Sequence, residues 1–291
     1  MALLIITTIL WAFSFSLIGE YLAGSVDSYF SVLMRVGLAA LVFLPFLRTR
    51  GQSPRTIVLY MLVGAMQLGI MYLLAFRAYL YLTVSEFLLF TVFTPLYITL
   101  IYDLLSGRKL RWGYLLSAAL AVLGAAIIRY DKVSDHFWTG LLLVQLSNLC
   151  FAIGMVGYKR LMEVRPMPQH NAFAWFYVGA FIVAVAAWFM LGNAQKLPTT
   201  TLQWSVLVWL GVVASGLGYF MWNYGATQVD AGTLGIMNNV HVPAGLLVNL
   251  AIWQEQPHWP SFISGALVIL ASLWVHRRWV SPHSGQTADD R

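Results

Sequence analysis

Four ionisable side chains, Glu20, Arg35, Arg77 and Glu86, stand in stretches that are otherwise apolar. An ionised group at the centre of a membrane helix costs about 2.5–3.5 kcal/mol on insertion scales, so each of the four needs either a partner or a task. Two cations and two anions at similar depth can form an ion-pair network. An arginine deeper than the rest can instead capture an anionic solute. Its guanidinium stays charged and offers a carboxylate two parallel N–H donors. Arg35 and Arg77 are therefore the candidate carboxylate ligands. Glu20, Glu86 and His241 are the candidates for carrying a proton.

The same stretches hold neutral polar residues: Gln67, Thr91, Thr94, Gln145, Asn148, Asn223, Asn238, Asn239 and His241. Asparagine and glutamine both donate and accept, which suits a ligand that does both. Singly, such residues also serve as interhelical hydrogen bonds worth about 0.6 kcal/mol. Asn238, Asn239 and His241 cluster beside Pro243, and Thr91 and Thr94 stand beside Pro95. A proline within a helix frees a backbone carbonyl, which is tolerated where the helix lines a polar cavity. Aromatics at similar depth are Trp11, Tyr72, Tyr79, Tyr97, Trp175, Phe220, Trp222 and Tyr224; Trp222 and Tyr224 flank Asn223. The substrate-binding set expected from these residues is Trp11, Arg35, Gln67, Arg77, Thr91, Asn148, Trp222, Asn223, Tyr224, Asn238, Asn239 and His241.

The elements that must position them follow from composition. Of 291 residues, 60% are hydrophobic and only 10% charged, against about 25% charged in a soluble domain. Hydropathy and loop signals predict an all-α membrane protein of ten transmembrane helices, over 2–20, 29–47, 57–80, 84–105, 110–129, 137–159, 172–192, 202–226, 233–253 and 259–279. The first basic residue is Arg35. The opening run therefore lacks the charged segment of a cleavable signal and reads as a retained span. The polar stretch 281–291 is expected to be a disordered cytoplasmic tail. A net charge of +6 does not indicate nucleic acid, because the basic residues sit at helix ends.

Those basic residues orient the chain. Arg48, Arg50, Arg55, Arg108, Lys109, Arg111, Lys159, Arg160, Arg165, Arg277, Arg278 and Arg291 share one side; Arg129, Lys132 and Lys196 occupy the other. The positive-inside rule then puts both termini in the cytoplasm. Glu20, Arg35, Arg77 and Glu86 all fall in the outer half, with Arg35 about 9 Å in at about 1.5 Å per residue.

Two halves of the chain resemble each other. Thr94-Pro95 matches Val242-Pro243, an offset of 148 residues (95 to 243) that also carries Ala78 onto Ala226. Arg35-Val36-Gly37 matches Tyr177-Val178-Gly179, and Ile18-Gly19-Glu20-Tyr21-Leu22 matches Gly157-Tyr158-Lys159-Arg160-Leu161. Five helices is an odd number, so residues 1–130 and 131–280 form two inverted repeats. In such folds the solute binds near the midplane between the repeats.

Trp11, Ser14 and Ser16 in the first span, Arg35 in the second, and Pro95 and Pro243 in the fourth and ninth resemble the pattern of the drug/metabolite transporter superfamily, EamA type. Glu255 follows Pro243 at the usual distance, whereas Ser106-Gly107-Arg108-Lys109 stands where that family usually has an acidic residue. Within the superfamily the chain is most similar to the bacterial biotin-uptake branch, through Leu10 to Tyr21, Phe76 to Glu86, Met162 to Trp175 and Tyr219 to Leu250. The resemblance implies a secondary transporter of the bacterial inner membrane that brings in biotin or another small carboxylate. Its partners would be that solute and the lipid bilayer, with no obligate protein partner.

The competing expectation is an exporter of amino acids or other metabolites on the same fold. No GxxxxGK[ST] loop, metal-ligand cluster or nucleophile–base motif occurs, so no enzyme activity, cofactor or metal is expected. Cys150 is the single cysteine, which excludes an intramolecular disulfide. A lipid-modifying enzyme would need an acid/base cluster at headgroup depth, and a plain scaffold would not keep charges within its spans.

Overall fold

The computed structural model describes residues 2–105 and 135–229, residues 120 and 123, and scattered positions between 234 and 274. Among the described residues, seven helices are long and apolar enough to cross a membrane: α1 (Ala2–Tyr21), α2 (Ser28–Phe46), α3 (Pro54–Ala78), α4 (Val84–Leu105), α5 (Phe137–Val164), α6 (Gln169–Leu191) and α7 (Thr201–Ala226). They coincide within a few residues with seven of the ten expected spans. The expected spans 110–129, 233–253 and 259–279, and the tail, lie wholly or largely outside the described residues.

Helix starts are set by local capping chemistry. The Asp27 side chain accepts from Phe30 N, and Ser53 accepts from Thr56 N with Pro54 in the first turn. Thr83 with Glu86, and Thr200 with Gln203, form reciprocal capping boxes. Each satisfies N–H groups that have no partner inside the helix. The Thr83 box makes the short link between α3 and α4 possible: the chain turns at Tyr79–Leu82 and restarts at once.

The burial pattern inverts that of a soluble protein. Ile5, Ile9, Leu41, Leu62, Leu142, Ile182, Phe189 and Leu202 face outward, while Thr7, Thr8, Gln67, Ser215 and Asn223 are buried. Hydrocarbon solvates the former; the latter must find partners inside. Packing interleaves the first and second halves. α2 lies against α6 and α7, α3 against α5 and α6, and α1 against α7. The α3–α6 crossing is backbone on backbone. A methyl group on Gly64 would strike the Phe176 carbonyl, and one on Gly179 would strike the Met61 carbonyl. Small residues allow this approach, which drives helix association in lipid.

Three of these seven helices are interrupted within their length. α3 contains a π-helical segment at Ala65–Ile70, α7 another at Leu210–Leu217, and α4 a 3₁₀ turn at Thr91–Phe93 just before Pro95. Such interruptions free backbone groups and concentrate at functional sites.

The loops sort to two ends. Asp27 N donates to the Lys196 carbonyl at 2.7 Å, and Lys196 Nζ reaches the Gly24 carbonyl at 3.4 Å. At the other end Arg48 N donates to Asn171, and Arg165 to Thr56.

Candidate solute-binding site

Arg35 lies on the face of α2 that also carries Ser31, Val32, Val36 and Ala39, all buried; its own exposure is 2%. Nε donates to Ser215 Oγ at 3.0 Å and Nη2 to Tyr72 Oη at 2.7 Å. Those two hydroxyls lie 2.9 Å apart. The guanidinium carbon is 4.2 Å from the Tyr72 ring centroid and 5.5 Å from that of Phe76. Its partners are thus neutral oxygens and aromatic faces, and among the described residues it forms no ion pair. Accepting hydroxyl oxygens and π-faces solvate a cation but do not neutralise it. A buried charge left in this condition attracts an anion.

Ser215 is available because α7 is π-helical there. Its carbonyl and that of Gly216 accept from Tyr177 Oη at 2.6 and 2.9 Å, and the Ala214 carbonyl accepts from Trp11 Nε1 at 3.0 Å. Side chains of α6 and α1 therefore satisfy the interrupted stretch of α7 and fix the Ser215 hydroxyl against Arg35.

A cavity opens beside the guanidinium. Its lining is mainly aromatic: Trp11, Phe15, Tyr72, Phe76, Tyr79, Phe87, Phe151 and Tyr219. Trp11 packs against Tyr219 with centroids 4.7 Å apart, and Tyr79 stacks on Phe87 at 4.3 Å. The polar lining is Arg35, Ser14, Thr91, Thr94, Ser147, Asn148 and Asn238. Pro95 supplies no N–H, and the Thr94 hydroxyl donates to the Thr91 carbonyl at 2.7 Å. Because Thr94 N turns to Thr91 in the 3₁₀ turn, the Phe90 carbonyl receives Asn148 Nδ2 at 2.9 Å and Gln145 Nε2 at 3.3 Å instead. An apolar concavity with a few convergent polar groups is the form of a small-molecule site.

The structure thus gathers Trp11, Arg35, Thr91, Asn148 and Asn238 of the expected set, and adds Tyr72, Tyr79 and Thr94. It places Gln67, Arg77, Trp222, Asn223 and Tyr224 away from the cavity wall. Gln67 and Asn223 are fully buried and bond each other reciprocally at 2.9 and 3.1 Å, which occupies both amides. Trp222 lies behind Trp11, its Nε1 3.3 Å from Met155 Sδ. Tyr224, two residues on, is 37% exposed on the outer surface. Arg77 is half-buried with its guanidinium over Tyr29 at 5.8 Å. Trp175 donates to the Arg48 carbonyl, Tyr97 to Gln145, and Phe220 packs on Phe43 and Phe173.

Of the proposed proton carriers, Glu20 is exposed, whereas Glu86 is 6% exposed and its Oε2 accepts from Thr83 N at 2.9 Å. Asn239, His241, Pro243 and Glu255 lie outside the described residues. Sequence reasoning missed Ser215, Tyr219 and the buried Asp103. One signal pointed to Ser215: the 148-residue offset carries Gln67, a polar residue in the middle of α3, onto it.

Comparison with known proteins agrees with this architecture. The pattern of the EamA-like transporter family matches residues 1–130 and again 138–277. A protein of Escherichia coli K12 named biotin transporter is 84% identical over all 291 residues, which cover 97% of it. A probable biotin transporter of Pseudomonas aeruginosa is 55% identical over 279 residues, 95% of this chain and 97% of that one. A solved crystal structure, 17% identical, superposes with a TM-score of 0.65 over 94% of this chain and 95% of the other, and shows the fold alone.

Proposed function

Because this chain belongs to the EamA-like transporter family and is an all-helical, multi-pass membrane protein, we propose that it carries biotin into the bacterial cell, holding the carboxylate on Arg35. The observation that carries this reading is the buried guanidinium of Arg35, engaged by hydroxyls and rings and by no described carboxylate. A solute carboxylate supplies the missing countercharge and fits the free edge of the guanidinium. The names of relatives 84% and 55% identical support biotin as the solute.

The mechanism proposed is alternating access between two inverted five-helix repeats, residues 1–130 and 131–280, ten spans in all, in the inner membrane with both termini cytoplasmic. Three findings support it. The family match falls in two stretches of that length. The π-helical segments of α3 and α7 occupy corresponding positions under the 148-residue offset. The contact of α2 with α7 has its counterpart in the contact of α6 with α3. Arg35 and Ser215 come from different repeats, so movement of one repeat on the other changes what surrounds the cation.

Entry of a monoanion against an inside-negative potential costs about 2.3 kcal/mol per 100 mV. Uptake therefore needs a proton, a gradient or trapping inside. Glu86 and His241 are the residues proposed to carry such a proton. The test is uptake of radiolabelled biotin into proteoliposomes, with and without an imposed proton gradient. Accumulation in wild type and its absence in Arg35→Ala are expected. Efflux without uptake would make the protein an exporter.

A further inference from the structure

A second part of the cavity wall is polar but uncharged, and its hydrogen-bonding character is already fixed. The Thr91 hydroxyl donates to the Leu88 carbonyl at 2.7 Å, and the Thr94 hydroxyl to the Thr91 carbonyl at 2.7 Å. Each hydroxyl has a single proton, so both are left with lone pairs alone. They accept and cannot donate. Asn238 stands on the same wall, 1% exposed, and its Nδ2 has no hydrogen-bond partner among the described residues. A buried amide N–H without an acceptor is costly, and buried polar atoms left in that state call for an explanation.

We propose that this wall is the subsite for the neutral polar end of the solute, a cyclic urea. Its N–H groups donate to Thr91 Oγ1 and Thr94 Oγ1, and its carbonyl accepts from Asn238 Nδ2. The wall offers acceptors and one donor; a cyclic urea offers donors and one strong acceptor. The proposal rests on the reading of Arg35 as the carboxylate ligand and gives that reading a direction. The solute lies with its acid on α2 and its urea on α4 and Asn238, and its hydrocarbon passes between the rings of Trp11 and Phe87. The 3₁₀ turn before Pro95 is what commits the threonine protons to the backbone. The irregularity in α4 therefore sets the chemistry of the site as well as the path of the helix.

The test is displacement of radiolabelled biotin from the purified full chain by biotin, biotin methyl ester and the two biotins methylated on one or the other urea nitrogen. In wild type, N-methylation is expected to weaken binding at least tenfold. Thr94→Val should weaken biotin about tenfold and reduce to within threefold the penalty for methylating the nitrogen that faces it; Asn238→Asp, which loses the carbonyl's donor, should weaken biotin about tenfold and keep the N-methyl penalty; both should leave the ester penalty unchanged. Thr94→Ser should behave as wild type, which separates loss of the hydroxyl from loss of fold. An N-methyl penalty below threefold in wild type overturns the subsite, whatever the variants do. So does wild-type biotin affinity in Asn238→Asp, or a full penalty retained for both N-methyl isomers in Thr94→Val. Equal binding of ester and acid in wild type sinks the Arg35 reading instead, and the two failures are told apart by which analogue shows no loss.

Discussion

Arg35 and Ser215 meet through a single 3.0 Å hydrogen bond although they stand 180 positions apart in the chain. The cation comes from α2, and the hydroxyl that orients it comes from the π-helical stretch of α7. Removing each side tests a different property. Arg35→Ala should reduce biotin affinity at least a hundredfold, since hydrogen bonds to charged groups contribute about 1.5–3 kcal/mol and the charge is lost as well. Arg35→Lys should recover only part, because lysine keeps the charge without the two-pronged geometry. Ser215→Ala should cost less, about tenfold, because Tyr72 still engages the guanidinium. Equilibrium binding to monodisperse protein measures all three. Wild-type affinity in Arg35→Ala would remove the arginine from the site.

The α3–α6 crossing gives a stability prediction. Gly179→Val puts side-chain atoms where the Met61 carbonyl lies, and forced overpacking costs about 1–3 kcal/mol or more. A marked drop in melting temperature in detergent is expected. Gly157→Ala is the contrast. Its new methyl would meet Val63 Cγ2 at 3.4 Å, an ordinary contact, and its melting temperature should stay within a few degrees of wild type.

The capping of α4 by Glu86 and the proton-carrying role proposed for it can be tested separately. Its carboxylate completes the capping box of α4, and a lost cap costs about 1 kcal/mol. Glu86→Gln keeps an oxygen to accept from Thr83 N but cannot titrate. If Glu86 carries a proton, this variant should lose gradient-driven uptake while keeping wild-type thermal stability. If its role is only to cap, Glu86→Gln should transport normally and Glu86→Ala should melt earlier.

Orientation can be read by labelling. The loops at Gly24 and Lys196 touch each other, so single cysteines there, introduced after Cys150 is replaced, must share a side. A membrane-impermeant reagent should label both in intact cells, and should leave Gly51→Cys and Arg165→Cys unlabelled. The reverse pattern would invert the assignment.

The amino-acid sequence by itself determined where seven of the membrane helices run and where they begin. Hydropathy sums over a window, and caps such as Ser53–Thr56 and Thr83–Glu86 act within one turn, so both are local and legible. The intramembrane arginine and the disturbance of α4 next to Pro95 were legible for the same reason: a charge and a missing N–H are properties of one residue. Partners were not. Trp222 and Tyr224 are two residues apart, yet one is fully buried and the other 37% exposed. Apolar residues surround these helices on all sides, so the sequence carries no phase to say which side meets lipid. Asn223 reads as a ligand-binding amide until α3 brings Gln67 to within 2.9 Å of it and satisfies both groups. Ser215, an unremarked small residue in the sequence, becomes the group that aims Arg35 because a π-helical stretch turns it there and Tyr177 and Trp11 hold that stretch open. Only the tertiary structure decided these pairings, because in a bilayer a polar side chain is defined by the neighbour that meets its hydrogen bonds, and here that neighbour lies as many as 180 residues away.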